Sequence, residues 1–252
     1  MGHPEQLAFV ELVASRLSFQ NGLNAIEIGS YDVNGNTRAK FHPNIKWIGV
    51  DLAPGVGVDI VNFGHLVDFP NESFDLSISC ECFEHDEFWR QTFQNMVRMT
   101  KPDGTLIFTC ASIGRPEHGT TRSQPNLSPG TQSRGLDYYR NLTERDFLQS
   151  FDFEEIFSQF AFFYNPITFD LYFVGQKKGF ASSSIELPNF EDVKKIRSLT
   201  PFPHKVARFP LYLIVKFLPL SVYNEFAFRY WMLLINIESK INSSRNMRLD
   251  NR

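Results

Sequence analysis

Cysteine is scarce in this chain. Cys80, Cys82 and Cys110 are the three among 252 residues, and an odd number in a chain this long argues against a disulfide framework and for a reducing compartment. Positive charge is not in surplus either. Twenty-five Lys and Arg against 28 Asp and Glu leave a formal charge of -3 and a pI near 6.1, without the basic footprint that draws a chain onto nucleic acid. No nucleic-acid partner is expected. Long uncharged apolar runs are missing too: the apolar stretch of 203–240 is interrupted by Arg208, Lys216, Glu225 and Arg229, so nothing approaches the roughly 18 residues of a membrane-spanning helix. The opening "MGHPE" lacks the basic and apolar regions of a signal peptide, and Gln6 stands where a myristoylation motif wants Ser or Thr. A cytoplasmic location is expected, with a peripheral place on the inner face of a membrane as the alternative.

What is present is enough apolar residue, 42%, to bury one sizeable core with an appendage. Residues 5 to 19 carry Leu7, Val10, Leu12, Val13 and Leu17 at helical spacing. Short apolar runs follow: "NAIEIG", "KWIGVDL" ending near Asp51, and "FDLSISC" ending at Cys80. A helical pattern from Glu84 to Thr100 is broken by "KPDG" before "TLIFTCAS" resumes a strand. Such alternation predicts an α/β fold of Rossmann-like, doubly wound type, with a mostly parallel sheet and helices on both faces. Ile113 to Arg140 is rich in Gly, Pro, Ser and Thr without periodicity, and a loop of that length is more often functional than incidental. "NLTERDFLQSF" reads as a short helix with Asn141 and Thr143 as candidate caps, and two strands joined at Asn165-Pro166 read as an antiparallel closure of the sheet. The expected domains are 1–178 and, after a linker-like change at "GFASSSIELPNFED", an aromatic-rich helical tail over 179–252.

The turn "NAIEIGSYDVNGN" decides the ligand class. A dinucleotide site uses glycine at the second motif position so that backbone can approach pyrophosphate, and a third glycine for helix-on-strand packing. Tyr31 occupies that second position, which argues against NAD or FAD. Asp51, at the end of the second strand, stands where a carboxylate accepts from ribose hydroxyls. Adenosine without pyrophosphate meets both facts.

Four passages in order, "IEIGSYDVNGNTR", "WIGVDLAPGVGVDIV", "FDLSISCECFEHDEFW" and "MTKPDGTLIFTCAS", resemble the class I S-adenosylmethionine-dependent methyltransferases (type 11-like) over roughly residues 20 to 178. The resemblance implies S-adenosylmethionine as cofactor. It gives Glu27 the task of orienting the loop and the methionine amino end, lets backbone near the cofactor at Gly29, and assigns the ribose to Asp51 and the adenine edge to Leu52. Ser30 and Tyr31 belong to the same turn, which closes two residues late at Gly35. Where related sequences carry an acidic residue for the adenine amino group, this chain has Asn62-Phe63, so Phe63 would stack on the ring and Asn62 would accept its hydrogen bond. Ser79, Cys80 and Glu81 would border the sulfonium. The passage "GRPEHGTT…DYYRNLT" resembles methyltransferases of sugar and surface-polysaccharide pathways, which implies a hydroxyl of a small molecule or glycan as acceptor.

A hydroxyl acceptor needs a base, and His118, just after the fifth strand, is the candidate general base. Arg115, Glu117, Arg122, Tyr138 and Tyr139, with Asp137, share its loop and are the candidate substrate-binding groups. Cys80, Cys82, His85 and Cys110 invite a metal reading because thiolate and imidazole bind zinc, but Cys80 and Cys82 lie in a strand-to-loop passage expected to send their side chains apart; buried core residues account for the thiols better, and no metal is expected. His85 reads as a cap or surface residue at a helix start rather than a catalyst. The tail, with Phe217, Tyr223, Phe226, Tyr230, Leu233 and Leu234 at helical spacing, is expected to pack on protein, as a cap on the domain or in a homodimer, rather than on a bilayer. A noncatalytic module docking through that tail and a dehydrogenase are the rival readings; the intact Glu27, Gly29 and Asp51 stand against the first and Tyr31 against the second.

Overall fold

The computed structural model describes residues 3–17, 22–33, 35–180 and 185–250, the last ten by their backbone alone. In chain order the elements are α1 (Pro4–Ala14), β1 (Asn24–Ile28), β2 (Lys46–Asp51), β3 (Ile60–Val61), β4 (Phe74–Cys80), α2 (Trp89–Met99), β5 (Thr100–Ala111), α3 (Pro129–Ser133), α4 (Glu144–Ser150), α5 (Phe153–Ile156), β6 (Phe157–Asn165), β7 (Asp170–Lys177), α6 (Phe190–Ser198), α7 (Phe202–Ile214) and α8 (Leu220–Asp250). Seven strands form one sheet in the order β3-β2-β1-β4-β5-β7-β6. The first five of that order pair in parallel, and β7 runs antiparallel to both β5 and β6. This is the Rossmann-like architecture that the alternating pattern predicts.

Strand side chains alternate between faces, and here each face has its own helix layer. Ile26, Ile28, Leu106, Phe108 and Phe173 point to one side, where α2 contributes Phe93, Met96 and Met99 and the α4–α5 region contributes Phe147 and Phe153. Their immediate neighbours Ala25, Ile107, Tyr172 and Val174 point to the other, against Phe9, Val10 and Val13 of α1 and Val193 and Ile196 of α6. Phe108 is fully buried, stacked on Phe147 at 4.4 Å and on Phe173 at 4.8 Å. Burial of one such ring contributes about 1.5–3 kcal/mol.

Helix starts follow their local chemistry. Pro4 opens α1, where its missing N–H costs nothing. Thr143 and Asp146 form a capping box at α4, and Asn189 and Asp192 another at α6. Asn141, the other candidate cap, instead donates from Nδ2 to the carbonyl of Arg115. Three further differences from the sequence reading have physical causes. The helix expected over 5–19 ends at Ala14, and its last two residues lie outside the described ones. "KPDG" is absorbed into β5, with Asp103 at φ 62° and a register shift against β4. The linker-like segment holds α6, because Asn189 caps it and an apolar face packs onto α1.

The tail turns on a small satellite core. Phe169, at φ 62° in the β6–β7 connection, packs with Leu211 of α7 and Tyr223 and Ala227 of α8. Gly114 has φ 101°, and a Cβ there would sit 2.3 Å from the Phe169 ring, so only glycine lets the chain leave β5 at this point. Tyr223 donates to the Gly114 carbonyl at 2.7 Å. Among the described residues no helix is long and apolar enough to cross a membrane.

Candidate active site

Strands β1, β2 and β4 end on one edge, and the order reverses between β1 and β4, where open α/β sheets bind ligands. A cavity of about 390 Å³ opens there. Its floor is Gly29 after β1, Asp51 at the end of β2 and Glu81 after β4, and its roof comes from the loop 127–138.

The glycine-rich turn is stapled from behind. Gly29 takes φ 79°, and a Cβ there would stand 2.7 Å from Cβ of Cys82, so the backbone of the turn lies against the β4 loop because no side chain intervenes. Its N–H and that of Ser30 donate to the Val50 carbonyl at 2.9 and 3.1 Å. Glu27 does not reach the cavity wall. Its buried carboxylate accepts from Thr37 and, at 2.7 Å, from Nε of Arg38, whose Nη2 goes on to the Gly57 carbonyl at 2.6 Å. Burial pushes the Glu27 carboxyl up, against the opposing pull of Thr37 and Arg38. Gly35 donates to Asp32 at 3.0 Å. Glu27, Ser30 and Gly35 thus shape the turn, while Gly29 and Tyr31 form the wall.

Asp51 is held by backbone. Oδ2 accepts from the N–H of Tyr31 at 3.1 Å and Oδ1 from that of Leu52 at 2.7 Å. Burial raises its pKa, although these amides and that of Ala53 work to lower it. A Cβ on Gly130 would approach Oδ1 to 2.4 Å, and Arg134 of the roof donates to the Leu52 carbonyl at 2.9 Å. The loop after β5 therefore closes directly over the carboxylate. Leu52, Asn62 and Phe63 line the same end. Oδ1 of Asn62 already accepts from the N–H of Phe63 at 2.9 Å, so this side chain fixes its own turn. Phe63, His65 and Phe88 make an aromatic rim, with centroid separations of 5.5 and 4.4 Å.

The opposite end is acidic and imidazole-lined. Glu81 has φ 51°, a strained value for a residue with a Cβ, and it swings the chain into a single 3-10 turn, Phe83–His85, whose three residues are all buried. His85 is thereby neither cap nor surface residue: it forms part of the cavity wall and is 7% exposed. Burial holds its pKa at about 3, with Arg115 adding to the effect. His118 is not on the rim. It lies behind, 4% exposed, edge-on to the His85 ring at 5.1 Å and to Tyr139 at 5.0 Å, and burial, helped by Arg115 and His85, pushes its pKa well down.

Of the loop residues proposed for substrate, Asp137 and Tyr138 line the cavity, Asp137 while accepting from the N–H and hydroxyl of Thr121, and the others are engaged elsewhere. Arg115 is buried against Asp170 at 3.2 Å and the Thr168 carbonyl at 2.9 Å. Glu117 pairs with Arg122, which reaches Glu225 of α8 at 3.0 Å and stacks over Phe228. Tyr139 donates to Oδ1 of Asn141 at 2.9 Å. Glu117 and Arg122 thus carry the tail, and Arg115 and Tyr139 fasten the loop, rather than hold a ligand. Ser79 and Cys80 also stay out of the cavity. Ser79 is fully buried in β4, and Cys80 belongs to the α1-side core, whereas the turn at Glu81, at φ 51°, ends the alternation and carries Cys82 to the face that Cys110 shares. Sequence reasoning missed Cys82, His85 and the roof residues Gly130 and Leu136; the roof could have been found from its Gly- and Pro-rich composition.

Residues 30–108, about a third of the chain, match the family model described as a methyltransferase domain. No curated protein sequence matches the chain. Solved structures to which it is similar include three methyltransferases. One is the Haemonchus contortus phosphoethanolamine N-methyltransferase 2 with phosphomonomethylethanolamine and S-adenosylhomocysteine, at 14% identity and TM-score 0.47 over 67% of this chain and 52% of that one. The second is the CurJ carbon methyltransferase, at 16% and 0.48 over 69% and 55%. The third is the Burkholderia thailandensis 1,6-didemethyltoxoflavin-N1-methyltransferase with its substrate and S-adenosylhomocysteine, at 12% and 0.49 over 69% and 78%. The chain spans about half the length of the first two. Residues 30–108 are thus matched as a methyltransferase domain.

Proposed function

We propose that this chain is an S-adenosylmethionine-dependent methyltransferase acting on a hydroxyl of a small molecule or glycan, in sugar or surface-polysaccharide metabolism, with 1–178 as the catalytic unit and 179–252 as an appendage. The observation that carries the reading is the cavity itself. It lies at the reversal of strand order inside the matched domain, walled by Gly29, Tyr31 and Asp51 at one end and by Glu81, His85 and Tyr138 at the other.

The residues present fit the cofactor. The turn has no side chain at Gly29, where a Cβ has no room; Tyr31 fills the space a pyrophosphate would need; and Asp51, with two oxygens held by amides, keeps lone pairs for ribose hydroxyls. Leu52 and Phe63 would cover the adenine. When bound, S-adenosylmethionine supplies a methyl made electrophilic by its sulfonium, whose sulfur keeps the bonding pair on transfer. The protein's share is to hold an acceptor oxygen in line and receive its proton. Glu81, His85 and Tyr138 are among the polar groups of the wall at that end, while His118, our sequence-derived base, backs His85 from the second row. The Arg122 contacts with α8 favour a tail that caps the catalytic unit.

Calorimetry of the full chain with S-adenosylmethionine, S-adenosylhomocysteine and NAD tests the cofactor end: the two sulfur compounds bind and NAD does not. Incubation with methyl-labelled donor and a panel of sugars, followed by NMR of the product, tests the other end. An N-methyl or C-methyl product would replace the hydroxyl acceptor.

A further inference from the structure

Five buried polar atoms beside the cavity have no hydrogen-bond partner: both carboxylate oxygens of Glu84, both ring nitrogens of His85 and Nε2 of His118. The backbones of Glu84 itself and of Ala111 approach the Glu84 carboxyl and that of Tyr138 approaches His85, yet none of them reaches hydrogen-bonding geometry. Glu84 is fully buried, and His85 and His118 are 7% and 4% exposed. An unsatisfied buried polar atom is costly, more so when charged. These five lie on two short segments that the fold brings together, and one bound ligand would satisfy several of them at once.

One ligand atom from each of the three side chains lies within 4.8 Å of the others. His118 is oriented for ligation. Its Nδ1 lies 3.1 Å from the Pro116 carbonyl, so that nitrogen carries the proton and donates, leaving the lone pair of Nε2 directed at the cluster. Metal-bound histidines are held by this type of bond to backbone carbonyl. Gly119, at φ 69°, brings the His118 segment against His85: a Cβ there would lie 2.7 Å from its Cε1. The positive charge nearest the cluster is spent, since Arg115 pairs with Asp170, and Oε2 of Glu81 adds another unpartnered buried oxygen.

We propose that Glu84, His85 and His118 bind one divalent transition-metal ion. Two imidazoles and a carboxylate are a borderline donor set that suits zinc and its first-row neighbours rather than magnesium or calcium. Three protein ligands leave a coordination position open, as in catalytic rather than structural sites. His85 is at once ligand and cavity wall. On the methyl-transfer reading, with which this part stands or falls, the open position would take the acceptor oxygen and the ion would lower its pKa.

The site is tested without donor or acceptor, so its failure is distinct from failure of that reading. The full chain is stripped with chelator and titrated with Zn²⁺ by calorimetry, and Co²⁺ is added in parallel to record its visible spectrum. One equivalent binds, the Co²⁺ spectrum shows nitrogen and oxygen ligation without a thiolate charge-transfer band, and the wild-type melting temperature rises with metal. The near-isosteric Glu84→Gln and His118→Gln variants bind at least about 100-fold more weakly, by analogy with the 10–100-fold cost of losing a residue that merely supports a ligand, and lose the melting shift. Cys82→Ser binds as wild type. No binding by the folded wild-type chain, undiminished binding by Glu84→Gln and His118→Gln, or a thiolate band lost with Cys82→Ser would overturn the proposal.

Discussion

The two ends of the cavity treat their carboxylates in opposite ways. At the turn end, Glu27 is buried and Asp51 half-buried, and both have their oxygens taken, by Thr37, Arg38 and backbone amides. At the far end, Glu84 has no partner for either oxygen and Glu81 for only one, Oε1, which accepts from Thr109 at 3.1 Å. A partnered carboxylate builds the wall; an unpartnered one awaits something that the wall will hold. The difference also separates what a ligand must do on arrival. At Asp51 it adds to a finished hydrogen-bond set, whereas at Glu84 it supplies the first.

The largest expected effect breaks the finished end. Glu27→Ala leaves the Arg38 guanidinium, itself mostly buried, without its carboxylate, and loss of one partner of such a pair costs about 3–5 kcal/mol. Chemical denaturation reads it. A cost below about 1 kcal/mol would show that Arg38 finds other acceptors and that the turn is not built on this pair.

The same partnered logic extends to the floor beneath the far end, where it acquires a pH dependence. Burial alone would lower the His3 pKa, but Asp170 at 2.9 Å and Glu5 at 3.1 Å overcome it and hold the imidazole at about 9. A raised folded pKa means that the contribution is complete below the unfolded value of 6.5 and is lost as pH rises through 9. Its ceiling is about 3 kcal/mol, from 1.36 kcal/mol per pKa unit. Glu5, held at about 2, has the opposite sign: its share is present above 4.5 and is lost as pH falls toward 2. The stability difference between wild type and His3→Gln, followed by urea denaturation from pH 6 to pH 10, therefore shrinks across that range. A difference independent of pH would mean that His3 acts by packing.

Asp51→Ala sharpens the comparison at the ligand. Removal of the charged acceptor weakens S-adenosylhomocysteine binding by about 1.5–3 kcal/mol, the scale of a hydrogen bond to a charged group. Calorimetry on the folded variant decides, and an unchanged dissociation constant would assign Asp51 to the turn alone.

Much of the finished end was legible. The apolar runs mark β1, β2 and β4, their ends fall at Ile28, Asp51 and Cys80, and Tyr31 in place of glycine speaks to the ligand because the dihedral and space requirements of such turns are local. The antiparallel closure was legible for the same reason, from two β-rich runs around Asn165-Pro166. The far end was not. Its geometry begins at Glu81, whose φ of 51° no residue type announces; strand alternation stops there, and the chain turns His85 inward instead of onto a helix surface. His118 reaches its place through Gly119 and a long-range contact with that turn. The loop residues Glu117 and Arg122 look like substrate groups until α8 supplies Glu225 and Phe228, about 100 residues later.

The smallest effect is the sharpest, because its sign differs between the two ends. Glu84→Gln keeps shape and removes the charge that folding would bury without a partner. With chelator present, the substitution relieves a penalty and breaks no pair, so stability rises by about 1–3 kcal/mol. In a chain of this length that is roughly 2–4 °C of melting temperature per kcal/mol. Glu27→Gln, the same chemical change at the partnered end, lowers it. Addition of Zn²⁺ then inverts the order at position 84: the wild type gains the binding free energy and overtakes the variant, while Glu27→Gln gains as much as wild type. A Glu84→Gln chain that is less stable than wild type under chelator would mean that protein groups already satisfy Glu84, and the contrast between the two ends would collapse with it.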